Sequence, residues 1–458
     1  MNDSSMNHNL TDVHGSRNLT RPIVGIVIGP ELLEDWLEHI DISFDAFLDH
    51  MMGSWMFGFI ESLKLMGVEP VSIGVSKRVK ETKRFIHRPT GTVVCLFPPT
   101  RFYMEMCKWR NAVQDATFIG SRWVRAILRC LIAYSCTPIR PFWRELRDTR
   151  YASLLVQDYE TGRFDVTVLL GKLTSIPVFG TFQGVGPWRR IFHFIRGRTV
   201  RNCEGLIIAA KTEAERVQHC YGLSASKVAR IYNPLAVTSW KPMDKATART
   251  ELSIPLTAEV AVWHGRIALD QKGLDILIAA WERVCQSRPK ADLRLILIGM
   301  GPDGEELDSI IRNSAVRGVV RINTWVHDTL FLRQYLGCAD LFLFASRYEG
   351  FPLAPMEAMA CGLPVVASAA SGMQEILQDG WDSGGVVVPC KDPDALAIET
   401  ARLLDNPAWR EEVGRCARSR IQAMFSTNAV GRQLADVLLR GEAVTHVSDE
   451  SELQMVSS

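Results

Sequence analysis

The sequence predicts an α/β protein made of two doubly wound domains that face each other across a cleft. Three observations predict it. Short apolar runs alternate with segments of helical apolar spacing along most of the chain. The alternation comes in two series, parted by a polar connector around residues 238–250. The chain, at 458 residues, has room for about two to three domains.

In the first series, Pro22 to Ile28 reads as a strand and Trp55 to Leu65 as a helix that ends at Gly67-Val-Glu-Pro70. Val71 to Val75 returns to strand alternation, closing one β-loop-α-β unit. Further strands are expected at Thr92 to Phe97, Ala152 to Val156, Val166 to Leu170, Val178 to Phe182 and Gly205 to Ala209. The second series opens with a strand at Val260 to Trp263, a helix from about Leu274 to Cys285 and a strand at Leu293 to Ile298. Strands follow near Val319 to Asn323, Leu341 to Phe344, Val365 to Ala367 and Gly385 to Val388, with closing helices at Pro393 to Leu404 and Pro407 to Phe425. The expected domains are 21–238 and 239–440, between polar tails at 1–20 and 441–458 that read as disordered.

Composition narrows the class. No window reaches the roughly 18 consecutive apolar residues of a membrane span, and the N-terminal stretch lacks the apolar core of a signal peptide. Eleven cysteines, an odd number without a C-x-x-C pair, argue against a disulfide framework or a zinc site and for a reducing cytoplasm. The net charge of +1 hides an asymmetry. Residues 51–240 hold 28 Lys and Arg against 13 Asp and Glu, whereas residues 241–458 hold 22 against 29. Residues 1–50 carry the remaining 2 against 9, and the 51–240 stretch at +15 suits an anionic surface or a phosphorylated acceptor. Arg122, Arg125 and Arg129 stand on helical spacing with Trp123, Val124, Ile127 and Leu128 between them, and Trp188 to Phe192 is a second basic-aromatic stretch. Such stripes lie on anionic membranes or form ordinary helices with a solvated face, the commoner case. No nucleic-acid reader motif accompanies them.

The densest chemistry follows the strand Leu341 to Phe344. Glu349 falls in a Gly/Pro-bearing loop at the strand's carboxyl end, where open α/β sheets bind ligands. Leu353 to Ala360 then opens a helix with Pro355 in its first turn, leaving unpaired N–H groups around residues 351–354 that favour phosphate. Glu357 lies among Met356, Ala358, Met359 and Ala360, which would bury it, and a buried carboxyl needs a partner. The plainer reading makes Glu357 a surface residue and Glu349 an ordinary loop acid.

The pattern Glu349-Gly-Phe-Pro-Leu-Ala-Pro-Met-Glu357-Ala, with Ala360-Cys-Gly-Leu-Pro-Val-Val366 after it, resembles the E-x7-E motif of the family-four retaining glycosyltransferases. The resemblance implies the GT-B fold, two Rossmann-like domains about a cleft, and sugar transfer from a nucleotide-diphosphate donor. It implies that Glu349 meets the donor sugar, that the amides of Gly350, Phe351, Pro352 and Leu353 face sugar and diphosphate, and that Glu357 holds the ribose. The stretch Gly265-Arg266 to Lys272-Gly273 matches the family's G-R…K-G element, which assigns the diphosphate to Arg266 and Lys272; alone it reads equally as a loop with two surface cations. Gly299-Met-Gly301-Pro-Asp-Gly304 satisfies G-x-G-x-x-G, yet the acid that a dinucleotide site requires about 20 residues on is missing. Gly301 is therefore expected as a turn residue beside the donor. Val326, next to Trp325, corresponds to the family's backbone contact with the base, and Tyr232-Asn233-Pro234 to its short element before the second domain.

On the acceptor side, Gly53 stands where the family places a glycine-rich loop whose amides meet the diphosphate, although the usual paired glycines are absent from Met51-Met52-Gly53-Ser54. Gln183 replaces the histidine that many members carry near the reacting sugar. An amide is no base, but it can hold a hydroxyl, or it can simply cap a strand. In the front-face mechanism proposed for such enzymes, the departing phosphate takes the acceptor's proton, so the loss need not end catalysis. The expectation is thus a cytoplasmic hexosyltransferase, peripheral at the membrane's inner face if anything, that uses no cofactor and no metal. Its partners are a nucleotide-sugar donor and a hydroxylated lipid, glycan or metabolite. An epimerase or phosphorylase on the same fold, or a nucleotide-sugar-binding protein without turnover, are the alternatives.

Overall fold

The computed structural model describes residues 21–29, 31–39, 42–115, 131–184, 193–324 and 328–440. The two tails, Arg122, Arg125, Arg129, the Trp188 stretch and Val326 lie outside them. Two sheets form, as the two series of strands require. In the first, eight strands run in the order β3-β4-β2-β1-β5-β6-β7-β8. They are β1 (Ile23–Val27), β2 (Glu69–Val75), β3 (Lys83–His87), β4 (Thr92–Phe97), β5 (Tyr151–Val156), β6 (Val178–Thr181), β7 (Gly205–Ile207) and β8 (Val228–Ala229). All pair in parallel except β3, which closes the edge antiparallel to β4. The second sheet is parallel throughout, in the order β11-β10-β9-β12-β13-β14. Its strands are β9 (Glu259–His264), β10 (Leu293–Ile298), β11 (Val319–Ile322), β12 (Leu341–Phe344), β13 (Val365–Ser368) and β14 (Gly385–Val388).

Strand periodicity separates two apolar layers on the second sheet. Val260, Val262, Phe342 and Phe344 pack one way with Met356 and Met359, whereas Ala261, Trp263, Leu341 and Leu343 pack the other way with the helix Leu274–Ser287. Burial on both faces is why these strands read as continuous apolar runs. The order of the sheet reverses between β9 and β12. In the first sheet it reverses between β1 and β5. Both reversals open a crevice at the strands' carboxyl ends.

Two expectations change. Val166 to Leu170 is not a strand: it lies inside the helix Gly162–Thr174, whose N-cap Thr161 accepts from the Phe164 amide. Its apolar run is long because Phe164, Val168 and Leu170 are buried in one core; a short buried run does not by itself separate the two periods. The second domain also ends before residue 440. The helix Thr427–Arg440 packs on Trp55–Leu65 and shares a core with β1, through Val430, Leu434 and Leu438. The two crossings between domains run side by side, with Leu235 N donating to Phe425 O at 2.7 Å and Thr427 N to Leu235 O at 3.1 Å.

Candidate active site

The loops after β9 and β12 meet at the reversal of the second sheet. From the first, Lys272 reaches across to Glu349 on the second, Nζ to Oε1 at 2.7 Å, with the carboxylate side chain 8% exposed. Arg266 sits half-buried in the same loop and donates to Gln271 Oε1 at 2.7 Å. Arg347 N donates to Gln271 O, and the Arg347 guanidinium ties down Leu269 O and Asp275, which fixes the cationic loop against the strand end. The turn after β10 supports it from below. A Cβ on Gly301 would come within 2.1 Å of Ile267 O, so the backbone beside Arg266 requires a glycine there.

Phe351 and Pro352 are buried, and Pro352 caps the helix Leu353–Ala360 without any side-chain bond to its first amides. The helix begins four residues after Glu349, the partner of Lys272, so its uncapped first turn lies close to that pair in the chain. Glu357, four residues into the helix, is 5% exposed. Its side-chain neighbour is one that sequence reading overlooked: His264 at the end of β9, Nε2 at 3.4 Å from Oε2. The two are not an ion pair. Burial pushes the Glu357 carboxyl up to about 8 and the His264 imidazole down to about 4, with the Lys272 charge also opposing a cationic ring. A protonated carboxyl and a neutral imidazole therefore share this pocket at pH 7. His264 Nε2 is buried without a hydrogen-bond partner, and a carboxyl so placed is ready to exchange hydrogen bonds with a diol.

The first domain meets this loop at Gln183. Its backbone N donates to Asp158 Oδ1 at 2.8 Å, and Asp158 is itself held at φ +57° after β5 with its carboxyl pushed up to about 6 by burial. Gln183 Nε2 donates to Thr181 Oγ1 at 3.1 Å, while Asn233 Nδ2 donates to Gln183 Oε1 at 3.0 Å. Gly184, at φ +98°, lies so close to Gly350 that a Cβ on it would stand 2.8 Å from Gly350 N. Gly53, by contrast, sits exposed at φ +85° ahead of the helix Trp55–Leu65, with nothing within 4 Å of where a Cβ would be. The structure thus brings Arg266, Lys272, Glu349, Gly350, Phe351, Pro352, Leu353, Glu357, Gly301 and Gln183 to one crevice, and it records no contact of Gly53 with them.

Residues 258–406 match the model of a family described as glycosyl transferases group 1. A D-inositol 3-phosphate glycosyltransferase of Streptosporangium roseum is 28% identical over 54% of this chain and 58% of its own length. One of the same name from Kineococcus radiotolerans is 31% identical over 51% of this chain and 57% of its own. The chain thus spans little more than half the length of these curated relatives. Among solved structures, sucrose-phosphate synthase of Thermosynechococcus elongatus superposes with a TM-score of 0.65 at 18% identity, covering 92% of this chain and 99% of that one. Anabaena HepE in complex with UDP and glucose gives 0.65 at 16% identity over 92% and 99%. At such identities the likeness is one of fold.

Proposed function

We propose that this chain, whose residues 258–406 match the glycosyl transferases group 1, is a retaining glycosyltransferase of the GT-B fold that moves a sugar from a nucleotide diphosphate to a hydroxyl acceptor. One observation carries the reading: Lys272, Glu349, Glu357 and the uncapped start of the helix Leu353–Ala360 come together at the reversal of the second sheet, on the side of Gln183 of the first domain. The Arg266 and Lys272 cations and the loop amides take the diphosphate, and Glu357 takes the ribose diol. Binding of the diphosphate parts Lys272 from Glu349, and the freed carboxylate turns to the sugar's hydroxyls. Closure of the domains excludes water that would otherwise hydrolyse the donor. The departing phosphate, held by cations, accepts the acceptor's proton on the face it leaves.

Two cations and a helix N-terminus compensate the diphosphate charge, so the reaction is proposed to need no metal. The relatives named for inositol 3-phosphate, together with the +15 of residues 51–240, make a phosphorylated polyol the first acceptor to try, ahead of lipids and glycans. A cytoplasmic site of action is part of the same proposal. Among the described residues no helix is long and apolar enough to cross a membrane. The test is nucleotide release from a panel of nucleotide sugars against these acceptors, with and without EDTA. Acceptor-dependent release that survives EDTA is expected. Release that is lost in EDTA and restored by magnesium would overturn the metal-free step, and absence of release with every pair would overturn the function.

A further inference from the structure

Asn233 is 2% exposed and stands where the chain leaves the first domain. Its amide joins two parts of the site that belong to different domains. Asn233 Nδ2 donates to Gln183 Oε1 at 3.0 Å and to Phe351 O at 3.3 Å, and Asn233 Oδ1 lies 3.4 Å from Gln183 Nε2 as acceptor. The neighbouring Tyr232 ring stacks on the Phe351 ring at 5.3 Å with the planes 24° apart. Residues 232 and 233 therefore grip Phe351 by ring and by carbonyl together. Beside this grip, Gly184 and Gly350 touch backbone to backbone.

The hydrogen-bond inventory of Gln183 decides what its side chain can do. A carboxamide has two N–H donors, and here both are committed, one to Thr181 Oγ1 and one to Asn233. Its oxygen already accepts from Asn233. A single lone pair remains for any ligand. The imidazole found at this position in the resembling family has one N–H when neutral and could not make the reciprocal pair with an amide.

We propose that Asn233 and Gln183 form an interdomain clasp, and that both are positioning residues which fix the Gly350–Leu353 amides for the donor, rather than groups that touch the transferred sugar. The proposal rests on the donor-site reading given above. With the clasp made, the Phe351 carbonyl is held, the peptide planes on either side of it are fixed, and the neighbouring N–H groups are aimed before ligand arrives. With it broken, the loop keeps its ion pair, its helix and the Tyr232 stack but loses its hydrogen-bonded tie to the first domain.

The test is a double-mutant cycle of Gln183→Ala, Asn233→Ala and both together in the full-length chain, read three ways. Hydrogen exchange of the amides of residues 350–354, excepting Pro352, without ligand reports the loop independently of any activity. Each single variant should speed that exchange on the order of 10-fold, and the double variant should add nothing beyond the larger single effect. In turnover, kcat should fall in the same non-additive way, and affinity for UDP, GDP or ADP, whichever the parent binds by calorimetry, should weaken non-additively too, by up to about 10-fold because Arg266 and Lys272 remain in place. Unchanged exchange in both single variants, or effects that simply add, would overturn the clasp. Should the parent bind none of the nucleotides, the donor-site reading falls, and the exchange data still judge the clasp alone. Asn233→Asp, which preserves shape but places an acceptor against the Phe351 carbonyl, should reproduce the Asn233→Ala exchange and guards against a folding defect; parent-like protection in it would also count against the proposal.

Discussion

Glu349 and Lys272 are each other's partner, so removing either has two effects that must be told apart. Glu349→Ala frees a cation that is already partly solvated and should lower turnover at least about 100-fold with little change in melting temperature, as expected for a carboxylate that meets the sugar. Lys272→Met leaves a buried carboxylate alone. It should weaken nucleoside diphosphate binding by about 2–5 kcal/mol by calorimetry and also lower the melting temperature. Equal affinity in variant and parent would return the lysine to a structural role. Glu357 offers a pH signature. Its folded carboxyl, raised to about 8, holds a proton that the unfolded chain releases near 4.5, so its contribution to stability is lost as pH rises between those values. His264, lowered to about 4, has the opposite slope, but only below the ordinary histidine value of 6.5. Between pH 6.5 and 8 the carboxyl acts alone of the pair. Glu357→Gln should therefore melt higher than the parent at pH 8, with the gap widening by about 1 kcal/mol per pH unit across that window. A gap independent of pH would mean that the group is already ionised.

At the scale of elements, closure depends on two turns lying against each other. Gly184→Ala places a methyl group 2.8 Å from Gly350 N, at a positive φ that also disfavours alanine. It should hold the domains apart, lowering kcat while nucleoside diphosphate still binds the second domain; small-angle scattering with bound nucleotide should report a larger radius of gyration than for the parent. The same scale shows what was legible in sequence. β12 could be read because Leu341 to Phe344 are all buried and the loop after it carries its chemistry within nine residues of chain. Lys272 and Glu349 could be read because each belongs to a short local pattern. β3 could not: Lys83 and Arg84 are exposed, as suits an edge strand, and nothing in their order alternates cleanly. The Gln183–Asn233–Phe351 connection was equally hidden, because its members lie 50 and 118 residues apart. Nor could sequence show that His264 lies under Glu357, since a histidine at a strand end gives no periodic signal. The helix Thr427–Arg440 carries a clear apolar face, but a face does not say which domain it covers.

For the whole molecule, the charge of residues 51–240 should give weak, reversible association with anionic vesicles. Lys77, Arg78, Lys80 and Lys83 are exposed around the β3 edge, and each such residue at an anionic surface contributes about 1 kcal/mol. Protein should pellet with the vesicles at low salt and be released as the Debye length shrinks; no pelleting at any salt would leave the charge to a small anionic acceptor. The last helix has a further consequence, for synthesis. Gly431 lies against the Ser62 backbone, more than 360 residues earlier in the chain, and Val430, Leu434, Val437 and Leu438 complete the core that β1 began. A ribosome making the protein releases the first sheet long before the helix that covers it exists. The nascent first domain must wait, with that apolar seam open, while the entire second domain is translated and folds. Its final consolidation therefore waits for the second domain to be translated, and the interval is when the chain is most exposed to aggregation and to chaperones.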